Sequence, residues 1–113
     1  MVDLKTLFTD SQKAIITSLL IEMANIDGIV VISELATYNE ICRQVNITTE
    51  IFEHGKSLDA EKAIEMAKDF TDIQKIELAK LLVKMIDADQ KDDKNEIRFL
   101  NHVCKKLEID NIL

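Results

Sequence analysis

The chain has no proline and no tryptophan, and only two glycines and one tyrosine in 113 residues. Without proline, no helix interior loses an N–H donor or meets a ring clash. That scarcity of breakers, in a chain rich in Leu, Ile, Ala, Glu and Lys, favours helices. Long apolar runs are missing too: none approaches the ~20 residues that a membrane span needs. The opening MVDLKTLFTD lacks the basic, apolar and small-residue parts of a signal peptide. Cys42 and Cys104 stand 62 residues apart with no CxxC pair, which is no disulfide framework and makes a reducing cytosol the expectation. Positive charge is short, with 14 Lys and Arg against 21 Asp and Glu, for a formal net charge of −7. Nucleic-acid binding rests on clustered Lys and Arg, so this balance argues against a nucleic-acid partner. It suits a surface that attracts cations. No nucleophile–base motif or glycine-rich phosphate loop is visible, and the expectation is that the chain is not an enzyme. His54 and His102 have no Cys or His neighbour at ligand spacing, which argues against zinc.

What remains is 47% apolar, enough for one globular domain over residues 1–113. Apolar spacing predicts a helix over about 11–25, capped by Thr9 or Asp10 and apolar around most of its girth, hence buried. Asp27-Gly28 ends it. Ser33 offers a cap to a helix over about 34–46, with Leu35, Tyr38, Ile41, Cys42 and Val45 on one face. Thr48 or Thr49 opens a short helix that Gly55 stops, and another runs from Ser57 or Asp59 to about Phe70. Thr71-Asp72-Ile73-Gln74 is a capping-box pattern that leads a helix through about Ile86. DADQKDDKN (87–95) reads as an acidic connection. Asn95 then caps a helix over about 96–107, with Ile97, Leu100, Val103, Cys104 and Leu107 inward.

A shift of 62 residues lays positions 19–47 over positions 81–109 without a gap. Eight pairs are identical: Leu19/Leu81, Leu20/Leu82, Met23/Met85, Asp27/Asp89, Glu34/Glu96, Asn39/Asn101, Cys42/Cys104 and Ile47/Ile109. The chain therefore holds two helix–acidic loop–helix units around two shorter helices. The expected fold is all-α, a compact bundle of about six to seven helices with an internal pseudo-two-fold repeat.

The acids recur with the repeat. Asp27 and Glu34 in the first unit match Asp89 and Glu96 in the second, and Asp87 is a weaker addition. Hard cations take several oxygens on a turn-shaped backbone. An EF-hand register puts Asp27 and Asp89 at loop position five and Glu34 and Glu96 at twelve, but position one is then Met23 and Met85. The 62-residue spacing also exceeds the roughly 40 residues of paired EF-hands. A plainer reading has Glu34 and Glu96 in first helical turns, where carboxylates meet the positive end of the dipole, and the aspartates as caps. The matched cysteines read as core residues.

The segments MANIDGIVVISELATYNEICRQVNI and MIDADQKDDKNEIRFLNHVCKKLEI, an apolar helix, acid, turn, Glu and amphipathic helix twice over, resemble the TerB-like family. That family includes tellurite-resistance TerB proteins and the N-terminal domain of DjlA-type co-chaperones. The resemblance implies an all-helical fold and a stress-related accessory role. It also implies acidic residues that chelate a metal, here Asp27, Glu34, Asp89 and Glu96, with a divalent cation of the Ca or Mn class as cofactor. The second copy lacks the glycine, with Gln90 in its place, and Asn25 stands where the second unit has Asp87. The alternative expectation is a metal-free protein-interaction scaffold with an unidentified protein partner.

Overall fold

The computed structural model describes residues 2–26, 32–89 and 94–109, without the side chains of residues 32, 33 and 89. These residues form seven helices and no strand: α1 (Leu4–Leu7), α2 (Asp10–Asn25), α3 (Ile32–Val45), α4 (Thr49–Ser57), α5 (Ala60–Ala67), α6 (Asp72–Asp89) and α7 (Lys94–Lys106). The all-helical expectation holds, and α1 is an addition to it. Gly28 and residues 90–93 of the acidic 87–95 segment lie outside the described residues.

Every side chain from Lys13 to Leu20 is buried, so α2 threads the core as its lack of a polar face requires. It packs against α4, α5, α6 and α3, while α6 also supports α3 and α7. One apolar cluster joins Ile16, Leu19, Leu20 and Met23 of α2 to Leu78, Leu82 and Met85 of α6 and to Ile41 and Val103 of α3 and α7. The Cα radius of gyration is 12.8 Å, near the ~13 Å of a compact domain this long.

The repeat is physical, and it starts earlier than residue 19. FTDSQK (8–13) matches FTDIQK (70–75) at the same offset of 62. Thr9 and Gln12 form a capping box, with Gln12 N donating to Thr9 Oγ1 at 3.2 Å and Thr9 N donating to Gln12 Oε1 at 2.9 Å. Thr71 and Gln74 repeat both bonds at 3.2 and 2.9 Å. The two boxes sit back to back. Gln12 Nε2 donates to Gln74 Oε1 at 3.3 Å, and Gln74 Nε2 donates to Gln12 Oε1 at 3.1 Å. Beside them the Phe8 and Phe70 rings stack tilted at 5.8 Å. Equivalent residues of the two matched segments therefore meet at this point.

The far ends of the units match as well. Asn46 and Glu108 both take left-handed backbone, with φ of 64° and 59°. The next amide in each case reaches back to the carbonyl of the matched cysteine, Ile47 N to Cys42 O at 2.8 Å and Ile109 N to Cys104 O at 3.0 Å. Both are Schellman closures. The symmetry is not strict. α3 lies along α6, but among the described residues α7 has no comparable packing on α2.

Three local expectations are corrected. Gly55 does not stop α4, which runs on to Ser57. A Cβ at Gly55 would stand 2.6 Å from Ala14 O and 2.6 Å from Thr17 Cβ, so the glycine is what lets α4 close on α2. α3 and α7 begin before Ser33 and Asn95, which therefore lie inside the first turns. Leu35 and Ile97 are exposed, at 52% and 39%, rather than inward. The inward stripe of α3 runs Glu34, Tyr38, Ile41, Val45, and that of α7 runs Glu96, Leu100, Val103, Leu107. In each helix a glutamate takes the place that hydropathy assigns to its apolar neighbour.

Two stability outcomes follow from this packing. Gly55→Ala should lower the melting temperature by about 5–10 °C, because an overpacking cost of about 1–3 kcal/mol exceeds the gain in helix propensity. A melting temperature at or above wild type would refute the close approach. In a double-mutant cycle, Gln12→Ala and Gln74→Ala should show a coupling of about 1 kcal/mol by chemical denaturation. Gln74→Ala should be the costlier single change, since Gln74 Nε2 also donates to Leu7 O at 2.8 Å.

Candidate metal centre

Glu34 stands in the first turn of α3 and Glu96 in the first turn of α7. Their side chains are 2% and 1% exposed. Glu34 Oε2 and both carboxylate oxygens of Glu96 are shut off from solvent. Glutamate is rarely buried to this degree, because a carboxylate loses its hydration unless the protein replaces it. Both residues do take part in polar or electrostatic interactions. The positive end of each helix dipole adds to that replacement. A cap on a wet surface, the plainer reading of the sequence, would not need this burial.

The other sequence candidates are placed less fully. Asp27 lies outside the described residues, as does the side chain of Asp89, although Asp89 is the last residue of α6. Asp87 lies on the last turn of α6 and is exposed. Among the described residues, no three His, Cys, Asp or Glu side chains converge as a ligand set. The buried glutamates have the hard oxygens that a divalent cation takes. With the described residues alone they do not complete a coordination shell. The aspartates that the repeat pairs with them stand on or beside the same two connections.

Around Glu34 the surroundings are apolar. Tyr38, one turn on, packs edge-on against Phe52 of α4 with ring centroids 6.5 Å apart. Burial, together with the Cys42 thiol a further turn along, pushes the Tyr38 phenol above its ordinary range. Burial likewise raises the Cys42 thiol, with a hydrogen bond to Tyr38 pulling the other way. Both groups are therefore neutral near pH 7, which does not make Cys42 an activated thiolate. Cys104 is buried in the core, and Cys42 is half-buried. His102 pairs with Glu61 at 2.9 Å on the surface between α7 and α5, away from any His or Cys partner.

Sequence reasoning singled out Glu34 and Glu96 by their recurrence but not by their burial. A signal was present: counting back from Val45 through Ile41 and Tyr38 at helical spacing reaches Glu34, not Leu35. It passed unread because hydropathy ranks Leu above Glu for the inside.

No helix among the described residues is long and apolar enough to cross a membrane. Searches of the curated proteins and of the solved structures return no match. The family model described as tellurite resistance protein TerB matches residues 12–112, a span that takes in both repeat units and the helices between them. By that match, which covers most of the chain, the protein belongs to the TerB family.

Proposed function

We propose that this TerB-family chain is a cytoplasmic, stress-related accessory protein that binds a divalent cation of the Ca or Mn class and has no catalytic role of its own. The ligands in this reading are Glu34 and Glu96, with Asp27 and Asp89 from the adjoining connections and Asp87 as a weaker contributor. The observation that carries it is the burial of two repeat-related glutamates at the mouths of the two acidic connections. Stable burial of a carboxylate calls for compensating positive charge or hydrogen bonds, and a bound cation supplies the first. The acidic excess of the chain favours cation approach in the same way.

A metal-free interaction scaffold is the alternative. It calls for a broad exposed apolar patch. Among the described residues the large exposed apolar side chains are Val2, Leu35, Met66, Ile73 and Ile97, spread over separate elements. That scatter favours the cation reading.

Thermal melts with and without Ca²⁺ or Mn²⁺ test it. At an ion concentration about 100 times Kd, the melting temperature should rise by about 10 °C. Asp27→Asn combined with Asp89→Asn should remove the rise while leaving the ion-free melt near wild type. An unchanged wild-type melt in ~5 mM of either ion, or an equal rise in the variant, would sink the proposal.

A further inference from the structure

A cavity of about 230 Å³ opens between α2, α3 and α4. Its walls are Ile21 and Ala24 of α2, Leu35 and Tyr38 of α3, and Phe52 and Lys56 of α4. The lining is almost wholly carbon. Asn25 at the edge is already engaged, its Nδ2 donating to Ile21 O at 2.9 Å. Glu34 lies beneath, and its near-complete burial leaves it little share of the open surface. Lys56 is the exception. It is exposed, its methylenes help wall the cavity, and among the described residues no carboxylate lies within 4.0 Å of its ammonium. An exposed lysine at the edge of an apolar hollow, with no ion pair among the described residues, stands out in a chain with seven more acids than bases.

We propose that this cavity binds a small amphipathic anion, its alkyl or aryl body among Ile21, Ala24, Tyr38 and Phe52 and its carboxylate on Lys56. Three observations lead there. The volume suits a body of about six to eight carbons, since a cavity of about 150 Å³ already holds a benzene-sized guest. Of the two charged residues among the described ones that line it, Lys56 is exposed and cationic, whereas Glu34 is 2% exposed. A protein partner is a poorer match. A stable interface covers about 800 Å² on each side, with an apolar centre, and among the described residues Leu35 is the only large exposed apolar side chain at this mouth. The proposal does not depend on a cation at the glutamates. If one binds there, it neutralises Glu34 and tightens the anion, and the anion tightens the cation by the same factor.

Chemical-shift titration of the full chain with hexanoate tests it, run beside hexanol and hexylammonium in chelator. Hexanoate should bind one-to-one with a Kd on the order of 1 mM, with shifts centred on Ala24, Leu35, Tyr38 and Phe52. Lys56→Gln should weaken hexanoate at least about threefold and leave hexanol unchanged, since it removes only the charge contact at an exposed site. Glu34→Gln should tighten hexanoate, because a buried like charge is gone. The comparison of Lys56→Gln on hexanoate and hexanol decides the matter even if Glu34→Gln does not fold. No saturable shift at ~20 mM hexanoate would overturn the proposal. Shifts away from the cavity, or hexanol binding as tightly as hexanoate, would also overturn it. Tightest binding of hexylammonium would assign the charge preference to Glu34 and overturn it too.

Discussion

The reciprocal amide pair between Gln12 and Gln74 sets how the two halves of this protein meet. Each glutamine uses its carbonyl oxygen twice, once for its own cap amide and once for the partner's side chain. A capping box thus becomes a joint between two helices as well as a helix start. With Phe8 and Phe70 stacked beside it, the joint holds the N-terminal ends of α2 and α6 together. From Gln12 to Asn25 is about 20 Å of helix, so the acidic connections lie far along from this joint. Their positions follow from it through two rigid, buried helices.

That geometry explains why glutamates are buried at all. α3 and α7 leave the connections and turn back onto the core, so their first turns must enter it. At that depth the first inward side chain is Glu34 in one unit and Glu96 in the other. Four residues later the stripe becomes hydrophobic and packs conventionally. The price of a desolvated carboxylate in each unit is high by the standard of domain stability, which totals only about 5–15 kcal/mol. Both units carry it at the same position, seven residues after the same aspartate in sequence. The recurrence follows from the duplication, and the cation proposed above would offset the cost in each unit.

The two units have also diverged. The second connection has Gln90 where the first has Gly28, and α4 and α5 cover α2 on a side that α6 offers to α3. Gly55 permits the first of these contacts by removing a side chain from the α2–α4 contact. The cavity beside Lys56 belongs to that covered side. It arises from α4, which neither repeat unit contains. The duplicated acids and the apolar hollow are therefore separate features of one fold, joined only through Glu34.

Local rules settled a good deal in advance. Breaker scarcity and periodicity implied helices, the Thr71–Gln74 box marked one start, and Thr9 or Asp10 marked another. The 62-residue offset exposed the duplication, because helix length, cap and core position are all written in nearby residues. Which residue of a neighbouring pair faces inward was another matter. Glu34 against Leu35 and Glu96 against Ile97 are separated by 100° of helix rotation, and only the packing of α3 and α7 on the rest chooses between them. Gly55 looked like a helix stop until α2 was seen against it. The same holds for the glutamine joint, whose partners are 62 residues apart, and for the cavity, whose walls run from Ile21 to Lys56: chain distance carries no record of either meeting. The sequence by itself determined the elements, their duplication and the family. The tertiary structure alone decided what is buried, because burial depends on neighbours that local sequence does not name.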